Sequence, residues 1–131
     1  MIFVDTSAWY ASVVPSDPNH MAAAAWLKAN RLPLLTTDYV VDEILTLLKM
    51  RGHRRRAFAL GEEFFQDRRL PMYHLCEADV EMAWQTFRRF QDKDWSFSDC
   101  ASKVVMDKLS VRTAFAFDQH FRQFGTITVV P

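Results

Sequence analysis

The stretch MIFVDTSAWY, residues 1–10, sets three apolar strand formers, Ile2, Phe3 and Val4, directly against Asp5 and a segment that reads as a helix. A run that is apolar throughout, instead of alternating, predicts a strand buried on both faces, as in a parallel sheet. It is too short for a signal peptide and lacks the positive flank. A charged group at the edge of a buried element needs a partner or a task, because burying an unpaired charge is costly. Asp5 therefore poses an alternative that recurs along the chain. It is either a cap on the helix behind it or a carboxylate delivered to a site.

Outward from this stretch the chain alternates in the same way. A first strand over 2–5 is followed by a short helix to residue 14, stopped by Pro15. Asp17-Pro18 reads as an N-cap with proline at the first helical position, opening a helix that ends at residue 29. Further strands are predicted over 33–36, 71–75, 113–117 and 126–130. Helices are predicted over 38–51, closed by Gly52, over 53–67 and 78–91, and from the capping box Ser96-x-x-Asp99 to residue 109. A short helix separates the last two strands. Strands alternating with helices predict an α/β fold, a parallel sheet covered by helices on both faces. Ligands of such sheets bind outside the carboxyl ends of the strands, near a topological switch point. Two strands end in an acid there: Asp5, and Asp118 in Phe115-Ala116-Phe117-Asp118.

Composition narrows the class. In 131 residues, 50% are hydrophobic and 14% aromatic, which predicts one domain over 1–131 with a sizeable core and excludes disorder. Lys plus Arg and Asp plus Glu number 16 each, so any affinity for nucleic acid must come from local clusters. Cys76 and Cys100 are too few for a disulfide framework or a zinc site. No apolar run approaches the roughly 18–20 residues of a membrane span. The expectation is a soluble, cytoplasmic chain with no membrane contact.

Two more acids stand inside helices. In 38–51, Val40, Val41, Ile44, Leu45, Leu47 and Leu48 form one apolar stripe. Asp42 points away from it into solvent. Glu43 sits at its margin, where a carboxylate either snorkels outward or meets a cation, a donor or a metal. Asp99 lies in the first turn of its helix, where the dipole alone favours an acid; the periodicity permits it to face a cleft without requiring it. Together, Asp5, Glu43, Asp99 and Asp118 would stand at one rim of the sheet. Clustered carboxylates raise one another's pKa unless a cation neutralises them. Oxygen ligands without a His or Cys cluster suit Mg²⁺ or Mn²⁺, and such a site fits hydrolysis of a phosphodiester.

V-D-T-S near the N-terminus, D-E-I-L-T-L-L in an early helix, S-F-S-D-C-A-S, and F-D-Q-H-F near the C-terminus together resemble the PIN domain. Within it they are most similar to the VapC-type toxin ribonucleases of bacterial toxin–antitoxin pairs. The resemblance spans essentially the whole chain. It implies a three-layer α/β/α fold with a central five-stranded parallel sheet in the order 3-2-1-4-5, so that Asp5 and Asp118 lie side by side. It implies that Asp5, Glu43, Asp99 and Asp118 bind one or two Mg²⁺ or Mn²⁺ ions and position the attacking water. Thr6 and Ser7 match the hydroxyl position that supports the first acid, and helix capping remains open for both. Cys100 stands where small residues are usual and reads as helix packing. Asp92 and Asp94 are either an outer-shell charge or a solvated loop. A homodimer and a VapB-type antitoxin that occludes the acidic site are also implied.

Arg51, His53, Arg54, Arg55 and Arg56 form a dense basic run, with smaller clusters at Arg68-Arg69 and Arg88-Arg89. Basic clusters track phosphates even at zero net charge, so Arg51, Arg54, Arg55 and Arg56 are candidates for RNA contact. Trp9, Trp26 and Trp95 either fill the core or line a dimer or antitoxin groove. His20 and His120 read as structural or surface residues. The reading is a metal-dependent endoribonuclease acting on an RNA substrate. A phosphotransferase with Asp5 as nucleophile would want a second acid two residues on, where Ser7 stands. A non-catalytic PIN-like RNA-binding or interaction module would show a broken acidic set, and this set is intact.

Overall fold

The computed structural model of the chain describes residues 1–67 and 70–131, Asp67 by its backbone alone; Arg68 and Arg69 lie outside the described residues. The elements are β1 (Ile2–Val4), α1 (Thr6–Val13), α2 (His20–Ala29), β2 (Leu34–Thr37), α3 (Asp38–Met50), α4 (Arg54–Glu62), β3 (Met72–Tyr73), α5 (Glu77–Arg89), α6 (Phe97–Leu109), β4 (Thr113–Phe115) and β5 (Thr128–Val130). A π-helical turn, Glu63–Asp67, continues α4, and a 3₁₀ turn, Gln119–Gln123, follows β4.

The five strands form a parallel sheet in the order β3-β2-β1-β4-β5, flanked by six α-helices. The apolar run of β1 makes it the central strand, with Phe3 and Val4 fully buried. From β1 the chain steps one way, through β2 to β3, then crosses over to β4 and β5. The switch point thus falls between β1 and β4, in the register Phe3 with Ala114 and Val4 with Phe115. One position further on, Asp5 N–H donates to Phe115 C=O at 3.0 Å. Phe3, Phe115, Phe121, Ile44, Leu48 and Met106 are the bulk of the fully buried core. The order and the parallel sense agree with the fold that the resemblance implies.

Several boundaries differ from the sequence reading, each for a physical reason. The second helix begins at His20, not at Pro18. Asp17 still accepts a hydrogen bond, from Asn19 N–H at 2.8 Å, but it closes a turn before the helix instead of capping it. The third strand shrinks from 71–75 to two residues, with only Thr36 and Thr37 of β2 to pair against. The fourth ends at Phe115, and residues 116–118 swing out to present Asp118. The helix over 53–67 passes from α to π geometry at Glu63.

The tryptophans are a correction. Trp9 and Trp95 are buried, Trp9 reaching the Thr36 hydroxyl at 3.4 Å and Trp95 the Gln123 side chain at 2.8 Å, so neither lines a groove. Trp26 is half-buried against Phe115 at 4.2 Å between centroids. The exposed tryptophan is Trp84, stacked on Phe87 along α5.

Candidate active site

The rim of the sheet where β1 and β4 end carries the first pair of acids. Asp5 is the N-cap of α1, and its Oδ2 accepts from the Ser7 N–H at 3.1 Å and the Ser7 hydroxyl at 2.6 Å. Ser7 Oγ in turn accepts from the Phe117 and Asp118 N–H groups, at 3.0 and 3.2 Å. One hydroxyl thus spends its proton on Asp5 and its lone pairs on the chain that carries Asp118. It ties the two strand ends together. The buried Thr6 hydroxyl has no hydrogen-bond partner among the described residues.

Helix α6 supplies Asp99. Its Oδ2 accepts from the Ser96 N–H at 2.9 Å while the Asp99 N–H donates to Ser96 Oγ at 3.0 Å, a reciprocal capping box. The cap uses one carboxylate oxygen, and the same Oδ2 lies 2.9 Å from Nδ1 of His120. That nitrogen is also 3.3 Å from Asp118 Oδ1. Nδ1 of His120 thus stands between the two acids, within reach of both carboxylates. Asp118 orients the imidazole by capping the 3₁₀ turn, its Oδ1 accepting from the His120 N–H at 2.9 Å. Of the two roles the sequence left open for His120, the structural one is seen, at the two acids. Asp99, Asp118 and His120 each offer a ligand atom within 4.8 Å of the others.

Asp5, Glu43, Asp99 and Asp118 all line one cleft of about 360 Å³, together with Thr6, Ser7 and Arg51. Glu43 reaches it from α3, half-buried, whereas Asp42 beside it is exposed. Tyr10, Asp17 and Asn19 also face the cleft. Sequence signals for these were weak: Tyr10 follows Thr6 by one helical turn, and His120 follows Asp118 by two residues in F-D-Q-H-F. Arg54, Arg55 and Arg56 are exposed at the start of α4 and do not line the cleft, nor do Arg88 and Arg89 at the end of α5. Asp92 and Asp94 stand in a solvated loop away from it. His20 is structural, its Nδ1 2.7 Å from Ala11 C=O. An apolar groove of about 430 Å³ between α3 and α4, lined by Leu45, Phe58 and Phe65, is reached by none of the four acids.

Burial pushes the Asp5 carboxyl up to about 7, against the Ser7 hydrogen bonds that pull it down, and the charge of Asp99 adds to the rise. Burial likewise pushes the Cys100 thiol up to about 11, which leaves it inert as a nucleophile. The donor set fits a hard divalent cation. Asp99, Asp118 and His120 converge, Asp5 and Glu43 line the same cleft as the two aspartates, and Asp5 Oδ1, Asp99 Oδ1, Asp118 Oδ2 and both Glu43 oxygens are not engaged in hydrogen bonds with described residues. An acid that is hard to ionise beside a second acid is also what a bound cation would relieve.

The PIN domain profile matches residues 2–126. The 23S rRNA-specific endonuclease VapC20 of Mycobacterium tuberculosis is 35% identical over 133 residues, covering 100% of this chain and 99% of its own. Its crystal structure, described as that of a Sarcin-Ricin loop cleaving toxin, superposes with a TM-score of 0.93 over 100% of both chains. The ribonuclease VapC26 of the same species is 26% identical over 99% of this chain and 100% of its own. VapBC2 of Rickettsia felis, solved on a DNA fragment of its promoter, shares the fold at a TM-score of 0.67 and 10% identity, covering 98% of this chain and 97% of its own.

Proposed function

The chain belongs to the PIN domain family, and from that premise we propose that it is a Mg²⁺- or Mn²⁺-dependent endoribonuclease, the toxin of a toxin–antitoxin pair. The observation that carries this reading is the complete set of four acids around one cleft at the switch point. An intact set leaves the non-catalytic alternative without support.

Asp5, Asp99 and Asp118 would hold the cation, and Glu43 lines the same cleft beside them. Bound there, the cation supplies Lewis-acid stabilisation of charge on a phosphoryl oxygen and acidifies a water. The chain's own residues do the rest. Ser7 fixes the Asp5 carboxylate and the Asp118 backbone in one frame, so their separation is set before substrate arrives. His120 holds Asp99 and Asp118 together without closing their outer oxygens. Glu43 would orient the attacking water and take its proton as the water oxygen bonds to phosphorus, while the leaving nucleotide oxygen departs with the electron pair of the broken phosphorus–oxygen bond and takes a proton from solvent. The exposed arginines of α4, Arg54, Arg55 and Arg56, add attraction for the RNA backbone. Given the identity to VapC20, the ribosomal RNA loop named for that toxin is the first substrate to try. A second copy and a VapB-type antitoxin are the expected protein partners.

The test is cleavage of that loop by purified protein with Mn²⁺, with EDTA, and with D5N and D99N. Loss in EDTA and in both variants is expected. Cleavage that persists in EDTA, or in both variants, overturns the mechanism.

A further inference from the structure

The acidic cleft ends on a single exposed arginine. Glu43 and Leu47 on α3 and Arg51 at its C-cap stand four residues apart, so the face lining the cleft runs from an acid through an apolar residue to a guanidinium. At 1.5 Å of rise per residue, the Cα of Arg51 is about 12 Å along the axis from that of Glu43. Its head group rests on a neighbouring helix. The Arg51 Cζ sits 5.0 Å from the ring centroid of Tyr10, on α1, a cation–π contact. His53 packs its ring edge against the same tyrosine at 6.0 Å. The turn between them is locked: Gly52 takes φ +82°, its N–H donates to Lys49 C=O at 3.2 Å, and the His53 N–H donates to Leu48 C=O at 2.8 Å. This Schellman closure of α3 favours glycine at the left-handed position 52, and it brings both Arg51 and His53 against Tyr10.

Arg51 forms no ion pair with a described carboxylate, although it shares its cleft with the four acids and Asp17. A guanidinium kept on an aromatic shelf, and left un-neutralised beside carboxylates, is available to an anion, and its planar fork matches a phosphate. Because the chain has zero net charge, no general field brings that phosphate to the acids.

We propose that Arg51, shelved on Tyr10, grips a backbone phosphate flanking the one that is hydrolysed, with Tyr10 as its positioning residue. The proposal rests on the nuclease reading and deepens it. Arg51 sets where along the strand the acids act, whereas Arg54, Arg55 and Arg56, outside the cleft, attract RNA without registering it.

The experiment measures cleavage of a loop RNA with Mn²⁺ for wild type, R51A, R51K, Y10A and R51A/Y10A. RNA affinity is measured across salt for the same substitutions in a D99N background, and Mn²⁺ binding by calorimetry. R112A, at the amino end of β4, is the surface control. Loss of one charged hydrogen-bonded contact predicts KM about tenfold higher for R51A with kcat within about twofold. The affinity slope against salt becomes shallower by about 0.7, the loss of one phosphate on a single strand. R51K recovers part of the loss. Y10A moves KM the same way, R51A/Y10A is no worse than R51A, and Mn²⁺ binding stays at the wild-type value. An unchanged KM and salt slope in R51A overturns the proposal, as does a fall in kcat alone or strict additivity with Y10A. If wild type fails to cleave, the nuclease reading falls, while the affinity arm still decides whether Arg51 holds a phosphate.

Discussion

Asp5 shows how a site residue works against the fold that carries it. Its carboxyl is buried and pushed up to about 7, from an ordinary 3.8, because burial disfavours the charged form more than the Ser7 hydrogen bonds favour it. The sign of the linkage follows. The folded chain holds this proton more tightly than the unfolded chain, so the Asp5 contribution to stability is full below about pH 4. It is lost as pH rises through 7, a swing on the order of 4 kcal/mol in the metal-free protein. D5N should therefore melt higher than wild type at pH 8 in EDTA, by an amount that shrinks toward pH 5, while cleaving no RNA. Thermal denaturation of both proteins across that range checks it, and equal melting temperatures at pH 8 would count against a strained carboxylate. Asp5 and Asp118 were legible because each follows an apolar run, although β4 itself stops at Phe115. The choice between Thr6 and Ser7 was not, since only the entry angle of α1 decides which hydroxyl turns back to the acid. His120 escaped for a similar reason: its direction depends on a 3₁₀ turn that spacing does not announce.

Among the elements, helix ends carry most of what sequence could and could not tell. Gly52 closes α3 at positive φ, and the residue type alone marks that stop. Helix α6 ends with the same chain reversal, its Ser110 N–H donating to Asp107 C=O at 3.3 Å and its Val111 N–H to Met106 C=O at 2.9 Å. Here the left-handed residue is Ser110, at φ 55°, and an exposed serine gives no such signal. A Cβ in that region is unfavourable by about 1 kcal/mol. Ser110→Gly should accordingly raise stability by roughly 0.5–1 kcal/mol, about 3 °C in Tm, with cleavage unaltered. A calorimetric Tm at or below that of wild type would contradict this. The short third strand was overestimated because its anchor is not in the ladder. Tyr73 donates to Asp79 at 2.6 Å, and Lys108 donates to both, at 2.8 Å to the phenol and 2.9 Å to the carboxylate. That cluster, with the Tyr73 hydroxyl foremost, holds the Asp79 carboxyl well below its usual range. It pins β3, α5 and α6 by side chains that no strand pattern reveals.

At the scale of the molecule, the alternation of strands and helices gave the α/β class, but it did not give the strand order, because several right-handed crossover arrangements satisfy the same alternation. The order came from the resemblance, and the sheet bears it out. Its consequence is thermodynamic as well as geometric. Side chains from the end of β1, α3, α6 and the turn after β4 meet at one cleft, so the proposed cation would clamp segments more than a hundred residues apart in sequence, such as Asp5 and Asp118. A ligand that binds only the folded chain stabilises it by about 2.7 kcal/mol at a hundred times its Kd. Such a cation would have to displace the Asp5 proton when pH is below about 7, so its binding would weaken as pH falls. Mn²⁺ should therefore raise Tm by several degrees at pH 8 and by clearly less at pH 5.5, and EDTA should reverse the rise. D5N should show little shift at either pH, since it has lost both the proton and the ligand. A Tm that responds to Mn²⁺ equally in wild type and D5N would place the cation elsewhere on the molecule and detach the acids of the cleft from metal binding.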